Sequence, residues 1–449
     1  MRALLISPNR EHIPDPVFPL GIAYVAAALR KRGHETSVLD LCFSGDADRD
    51  LSDRIRGFMP DVVGISLRNV DDVSYPKQHS FLEEYRRTVT AVRSLTDAPV
   101  VLGGSGFTIM PEEFLEALRA DFGIVGEGEE AFPDLLDRMQ AGDLPAQRDP
   151  TARILRPQSR VACIGGVTPL RKPADVGAYY RLGGMLNIQT KRGCPFGCIY
   201  CTYPQIEGRT VRMRDPAGVA DEISAMAEQH GVRHFFFVDS IFNYPVDHAR
   251  AVCGEIVRRR LDVQWTCYAH PAFMTDGLAA AMAAAGCTAV EFGIDSLSDA
   301  GLAALGKNFT SGTVSAAART CRRHGLKFCI FLFAGGPGDD LDAVKTNLDR
   351  LDAIGPDAAV IMAGIRIFPG TKLAGLAQQE QGIGRPGLDP VFYLSRGVAD
   401  RLEQVRDMVA QRKHWIMPGF EVNLYQRLQK LLREKKGIKG PLWEELSKR

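Results

Sequence analysis

What most restricts the fold of this chain is a rhythm that runs, breaks and resumes. Short β-rich runs alternate with longer amphipathic stretches from Ala3 to Met139, give way to a proline-rich segment, and return from Met185 to about Arg366. The first stretch predicts strands at Ala3–Ser7, Ser37–Leu41, Val62–Ser66, Val100–Leu102 and Phe122–Val125. Helices are predicted at Ile22–Arg32, Leu51–Phe58, Phe81–Leu95, Pro111–Leu118 and Glu129–Met139. Alternation of this kind is the pattern of a parallel sheet flanked by helices. The second stretch predicts strands at Leu186–Thr190, His234–Val238, Gln264–Tyr268, Ala289–Ile294, Phe328–Phe333 and Ala359–Ile367, with helices such as Pro216–His230 and Ser311–His324 between them. Six βα units suit a partial barrel, in which chemistry sits at the carboxyl ends of the strands.

The domain reading is α/β throughout the core. It places a Rossmann-like doubly wound unit at 1–140, a linker at 141–184, a partial (βα)6 TIM-like barrel at 185–372 and a mostly helical region at 373–449. The linker carries prolines at 145, 150, 157, 169 and 173, with Val161–Ile164 as a candidate edge strand. The last region predicts helices at Asp400–Lys413 and Val422–Lys435 and carries Trp415 and Trp443. At 449 residues, two or three domains are the expectation.

The balance of 55 Lys+Arg against 54 Asp+Glu leaves a net charge of +1, so the whole chain offers no electrostatic case for nucleic acid or a membrane surface. The basic run Arg433–Lys439 reads as a solvated helix end, with docking of an acidic partner as the alternative. No apolar run is long enough to span a bilayer. The opening apolar stretch stops at Pro8 with no small-residue cleavage site behind it, so it reads as a buried strand of a cytoplasmic protein.

Three of the ten cysteines fall within eight residues, in Gly193-Cys194-Pro195-Phe196-Gly197-Cys198-Ile199-Tyr200-Cys201. Such clustering in a non-secreted protein points to metal before disulfides. Three thiolates from one loop, with no fourth cysteine nearby, leave one iron of a cubane cluster open to a small ligand. Gly193, Pro195 and Gly197 suit a loop wrapped closely around such a group. The alternatives are a zinc knuckle, which usually needs a second ligand pair, or buried free thiols.

The Cys-x3-Cys-x-aromatic-Cys loop behind the first strand of a βα series resembles the radical S-adenosylmethionine superfamily. The resemblance implies a [4Fe-4S] cluster on Cys194, Cys198 and Cys201, with the open iron taking the amino and carboxylate groups of S-adenosylmethionine. It implies reductive cleavage to a 5′-deoxyadenosyl radical, and hence a one-electron reductant of the flavodoxin or ferredoxin type. Four later segments fall where this family contacts the cofactor. Tyr200 is expected beside the adenine. Asp239 and Ser240 end a strand where the methionine amino group is met, in place of the family's usual acidic pair. Asp295 and Ser296 follow the ribose-contacting strand, Gly335 and Gly336 let backbone approach the adenine, and Arg366 precedes the closing Pro369-Gly370-Thr371 turn.

A doubly wound sheet binds ligands outside the carboxyl ends of its strands. That edge offers Pro8 and Asn9, Leu41, then Ser66, Arg68 and Asn69, and the loop Gly103-Gly104-Ser105-Gly106, with Glu127 beyond it. Their order resembles the cobalamin-binding domain that precedes many radical S-adenosylmethionine enzymes. The Asp-x-His-x-x-Gly element that supplies a histidine to cobalt elsewhere is absent, so the resemblance implies no protein imidazole on cobalt. Arg68 is the residue expected to face the lower side of the corrin, and a surface Arg68 paired with Asp71 or Asp72 is the alternative. A bare Rossmann-like scaffold is the alternative for the whole unit.

Together the two resemblances imply a cobalamin-dependent C-methyltransferase acting on an unactivated carbon, with cobalamin carrying the methyl group. Tyr268 and His270 are candidates around the substrate, with His270 as a helix cap as the alternative. A cyclase or rearranging enzyme with the same cofactors remains open, as does a non-enzymatic corrinoid or electron carrier. The acceptor is expected to be an amino-acid residue in a peptide or protein, with a free amino acid, a lipid or a secondary metabolite as the alternatives.

Overall fold

The computed structural model describes residues 1–143, 153–158, 160–161, 164–171, 173–422 and 431–445. Its first sheet consists of β1 (Arg2–Ser7), β2 (Glu35–Asp40), β3 (Val62–Ser66), β4 (Val100–Gly103), β5 (Phe122–Ile124) and β6 (Ile154–Leu155), all parallel in the order β2-β1-β3-β4-β5-β6. Ala3 to Ile6 of β1 are almost fully buried, as a strand covered on both faces requires. Leu20–Lys31 and Gly128–Gln140 pack on one face, while Ala47–Phe58, Leu82–Leu95 and Pro111–Leu118 pack on the other. The strand order reverses between β1 and β3, and there a crevice opens at the carboxyl edge.

The chain then enters β7 (Leu186–Ile188), a small antiparallel hairpin of β8 (Lys191–Arg192) and β9 (Arg212–Met213), and the strands β10 (His234–Phe237), β11 (Gln264–Ala269), β12 (Cys287–Asp295), β13 (Lys327–Ala334) and β14 (Ala358–Ala363). An antiparallel pair, β15 (Ile365–Arg366) with β16 (Phe392–Tyr393), and β17 (Trp415–Ile416) complete it. The second sheet runs β17-β14-β13-β12-β11-β10-β7, all parallel, an open barrel with helices outside. Ile223, Ile256, Leu278, Val314 and Leu351 of those helices share one core with the outward faces of the strands. Pro216–His230 shows how the sequence sets such a helix. Asp215 caps its start by accepting from the Gly218 N–H at 3.1 Å, Pro216 occupies the first turn, and Gly231 ends it at φ 65°.

Several expectations are corrected. The edge strand of the first sheet is β6, while the segment expected for it, 161–164, lies partly outside the described residues. The linker contains a helix, Pro173–Gly183, whose Tyr179 ring packs edge-on against Phe18 and Phe43. The last barrel strand is interrupted at Gly364, φ 63°, so the chain leaves the sheet and pairs with β16 instead. β17 adds a seventh strand beyond the six expected. The helix expected at Asp400–Lys413 is shorter, Leu402–Ala410, and of Val422–Lys435 the part 423–430 lies outside the described residues while Leu431–Lys435 forms a π turn. Arg433 is buried rather than solvated, paired with Asp15 at 2.8 Å, because the C-terminal segment straps back across the chain's beginning. Among the described residues no helix is long and apolar enough to cross a membrane.

Candidate functional site

The carboxyl edge of the first sheet is built by loops that brace one another. Gly104 adopts φ 94°, and a Cβ there would stand 2.7 Å from the Leu67 carbonyl oxygen. Only glycine fits that close approach. Gly106 lies equally near the Asn69 backbone, and the Ser105 hydroxyl donates to the Arg68 carbonyl at 2.6 Å. The glycine loop therefore fixes the loop that carries Arg68. The Arg68 guanidinium has no ion-pair or hydrogen-bond partner among the described residues and lines a cavity with Asn9, Ser66, Asn69, Gly103 and Ser105. Asp71, one of its two expected surface partners, is instead paired with Arg366 at 2.7 Å. Pro8 and Leu41 are buried behind that wall and do not line the cavity.

The cysteine loop is anchored from beneath by Asp239, which is fully buried. Its carboxylate accepts from the Thr190 N–H at 2.7 Å, the Thr190 hydroxyl at 2.5 Å and the Lys191 N–H at 3.1 Å, with the Lys191 ammonium 3.4 Å away. These contacts consume both oxygens, so Asp239 positions the loop and is not turned toward a ligand, contrary to expectation. Ser240 donates to the Gly193 carbonyl at 3.3 Å. Gly193 adopts φ 97°, and a Cβ there would lie 2.1 Å from the Thr210 carbonyl oxygen. The Gly193 N–H donates to Glu207 at 3.0 Å; burial pushes that carboxyl up to about 7.

Cys194 is buried, Cys198 and Cys201 are partly so, and none is in a disulfide. Burial pushes all three thiols up, Cys201 to about 12, and each also feels a neighbouring thiol or carboxylate. Thiols so placed ionise only when a cation neutralises them, which is what iron does. Among the described residues no three His, Cys, Asp or Glu side chains converge on a single ion, whereas a cluster spreads its ligands over several irons. The residues fit an iron–sulfur cluster.

Beside the loop, Asp295 sits at φ 71° where the β12–β13 register slips, a left-handed conformation unusual for a residue other than glycine. Its carboxylate meets the Tyr200 hydroxyl and the Lys307 ammonium, and that ammonium also reaches the Gly293 carbonyl at 2.9 Å. Lys307 acts on Cys198 as well, drawing its thiol down against burial. The structure thus joins Tyr200 and Asp295, which sequence reasoning named, to Lys307, which it missed. Ser296 is buried and accepts from the Ser298 N–H at 3.2 Å. The Gly335 and Gly336 N–H groups point to the Asp339 carboxylate at 3.1 and 2.9 Å, and burial pushes that carboxyl up to about 6. Arg366 does not line the cavity: its Nε donates to Asp71, its Nη1 reaches the Val391 carbonyl, its Nη2 is buried with no partner among the described residues, and the group stacks 4.5 Å over Phe368.

His270 takes the second of the two roles expected for it, capping the helical turn Pro271–Phe273. Its Nδ1 accepts from the Ala272 N–H at 3.2 Å, its Nε2 faces Asn308 at 2.9 Å, and its ring stacks 4.7 Å from Phe196 in the cysteine loop. Burial pushes it down to about 4. A neutral ring with both nitrogens engaged supports the loop and does not face a substrate. Tyr268 does line the cavity, its ring edge-on to Phe236 at 5.1 Å.

One cavity of about 1120 Å³ joins the ligand edge of the first sheet to the interior of the barrel. It runs from Arg68 and the glycine loop, past Glu127, Glu207 and Tyr203, into the barrel between Asn187, Phe236, Tyr268, Glu291 and Phe331, and ends against Trp443. Pockets for one small ligand rarely exceed about 1,000 Å³, so this one has room for a large group on the first sheet and a second molecule in the barrel. An unpartnered cation, a glycine loop and a broad crevice at the switch point fit a corrin. Glu207 and Lys307 escaped the sequence reading because they belong to no motif, while Glu291 and Trp443 were read as part of a strand and of a tail and given no role at the site.

The family described as B12 binding domain matches residues 6–136, and the Radical SAM superfamily matches residues 188–351. The tryptophan 2-C-methyltransferase of Streptomyces laurentii is 28% identical over 84% of this chain and 75% of its own length. An uncharacterized methyltransferase of Pyrococcus horikoshii is 26% identical over 83% of this chain and 82% of its own. Among solved structures, the radical S-adenosylmethionine methyltransferase TsrM from Kitasatospora setae, with tryptophan substrate and an S-adenosylmethionine analogue bound, superposes with a TM-score of 0.85 at 26% identity, covering 100% of this chain and 97% of that one. The same protein with cobalamin and a [4Fe-4S] cluster gives 0.86 at 25% identity.

Proposed function

The chain is a cobalamin-dependent radical S-adenosylmethionine enzyme of the methyltransferase type, and we propose that it methylates a carbon of a small aromatic amino acid. The [4Fe-4S] cluster, S-adenosylmethionine and cobalamin supply, when bound, the activated methyl group and its carrier. Cys194, Cys198 and Cys201 are the proposed cluster ligands. Tyr200, Asp295, Lys307 and the backbone at Gly335–Gly336 are the groups proposed to border S-adenosylmethionine. Arg68, free of any partner among the described residues, is the side chain the first sheet offers to the lower face of the corrin in place of an imidazole.

The observation that carries the reading is the single cavity shared by both sheets. A group seated at the carboxyl edge of β1, β3 and β4 and a molecule inside the barrel share one continuous cavity, so a methyl group has a path between them within the protein. The barrel end of that space is walled by Phe236, Tyr268, Phe331, Val360 and Met362, which suits a flat apolar body. Burial holds the Tyr268 phenol far above its ordinary range, so its hydroxyl serves as a donor and orients rather than abstracts. The C-terminal segment closes the far end, which favours a free small molecule over a residue of a folded protein. Tryptophan is the acceptor to try first, given the likeness to a tryptophan 2-C-methyltransferase.

The test is anaerobic incubation of the reconstituted enzyme with methyl-labelled S-adenosylmethionine and tryptophan, tyrosine or phenylalanine. One of the three is expected to gain a labelled methyl group on carbon by mass spectrometry. Absence of label from all three, or a product altered without methyl gain, would sink the proposal.

A further inference from the structure

The floor of the barrel holds a carboxylate that no step above uses. Glu291 lies midway along β12, beside Tyr268 in the register with β11, and lines the cavity although only 7% exposed. Its Oε1 accepts from the Trp443 indole N–H at 2.8 Å. Its Oε2 has no hydrogen-bond or ion-pair partner among the described residues, and it is not among the sealed, unpartnered atoms of the core, so it opens to the cavity. The strand residues that share this wall, Asn187, Phe236, Tyr268, Phe331, Val360 and Met362, are all neutral. Burial pushes Glu291 up to about 7, with the Trp443 N–H pulling it down and Asp15 pushing it further up.

A buried carboxylate with one oxygen free costs stability unless something completes it. Nothing among the described residues does, while the other oxygen is held by the Trp443 indole. Trp443 rests on the small residues Ala289, Cys329 and Ala358, and the next residue, Glu444, is tied to Lys327 at 2.8 Å. The C-terminal segment thus forms a floor that holds Glu291 in one orientation. An apolar chamber with one convergent polar group is how a pocket fixes the orientation of its ligand. A site built around such a bond also discriminates strongly against molecules that lack the matching donor.

We propose that Glu291 reads the acceptor, its Oε2 accepting a hydrogen bond from a nitrogen-bound hydrogen of a flat apolar molecule, with Trp443 as the positioning residue that aims it. The inference rests on the aromatic amino-acid reading and names the group that recognises that substrate. An indole N–H and an ammonium share the required chemistry, and the probes separate them. Tryptophan carries both, 1-methyltryptophan only the ammonium, and indole-3-propionate only the indole N–H.

Equilibrium dialysis of the cofactor-loaded enzyme against each probe tests this, with wild type, Glu291→Gln, Glu291→Leu and Trp443→Phe. Glu291→Gln keeps the size and an oxygen for Trp443, which guards against misfolding, and unchanged melting and iron content identify variants that remain folded. Glu291→Leu is expected to weaken tryptophan by about 10- to 100-fold, the weight of one hydrogen bond to a charged group. With its oxygen kept on Trp443, Glu291→Gln turns an amide N–H toward the chamber, so it is expected to weaken indole-3-propionate if the indole is read and 1-methyltryptophan if the ammonium is. Trp443→Phe is expected to raise KM several-fold with kcat nearly unchanged. If wild type binds tryptophan and Glu291→Leu binds it equally well, this inference fails alone. If wild type binds none of the three probes, the aromatic-acceptor reading fails and takes this inference with it.

Discussion

At the scale of single residues, the cysteine loop is held by side chains that touch no ligand. Asp239 accepts three hydrogen bonds and faces the buried Lys191. Asp239→Ala would strip two N–H groups and the Thr190 hydroxyl of their acceptor and leave the Lys191 ammonium with only the Phe242 carbonyl and ring, and removing one member of a buried pair costs about 3–5 kcal/mol. Denaturant unfolding of the variant should show a loss of that order, and Asp239→Asn a smaller one. A change within error of zero for Asp239→Ala would remove Asp239 from this role. His270 gives a pH signature. Burial lowers its value from 6.5 to about 4, so between those values the unfolded chain takes up a proton that the folded chain refuses. Stability from this residue is full above pH 6.5, falls as the pH drops, and is lost entirely below about 4, a difference of about 2–4 kcal/mol. The stability gap between wild type and His270→Asn should therefore shrink on going from pH 7 to 4.5, and a gap independent of pH would refute the assignment.

At the scale of elements, the β8–β9 hairpin is clamped to the first sheet. Glu127 pairs with Arg192 at 3.2 Å and Arg212 at 2.7 Å, and Glu129 pairs with Arg192 at 2.6 Å. Burial pushes the Glu127 carboxyl up, yet the two guanidiniums hold it below its ordinary range. Glu127, expected to contact cofactor, lines the cavity, and its carboxylate joins two elements. Glu127→Ala should raise hydrogen exchange in residues 191–213 by at least about tenfold, since each lost buried bond is worth roughly 1–3 kcal/mol, whereas exchange unchanged from wild type would show that the clamp is idle. Elements of this kind mark the boundary of what could be read beforehand. The parallel strands were legible because buried strands such as β1 and β13 read as unbroken apolar runs. The three cysteines were legible because cluster chemistry dictates their spacing. β17, two residues long, is too short for any period to reveal, and the break at Gly364 depends on pairing with a strand far along the chain. Which of its two expected roles His270 takes, and the way Arg366 turns once its chain has left the barrel strand, were not legible. Direction there is set by Ala272, Asn308 and Asp71, partners that sequence does not pair with them.

At the scale of the whole molecule, the first sheet and the barrel are joined by buried charge. Asp71 and Arg366 pair at 2.7 Å with side chains 0% and 3% exposed. Asp71→Ala should cost about 3–5 kcal/mol by stranding the guanidinium, and Arg366→Met on top of it should restore much of that loss. A double variant no more stable than Asp71→Ala alone would mean the pair does not couple the two units.

Trp443 stands at the floor of the barrel, and Arg433, just before it, grips Asp15 near the chain's first strand. During synthesis the first sheet and the cysteine loop emerge and fold well before that strap exists. Until then the chamber is a bowl rather than a vault, and Glu291 lacks the indole N–H that aims it. A chain caught at that stage has walls but no fixed orientation for whatever enters, so the acceptor end is the last part of the molecule to be finished.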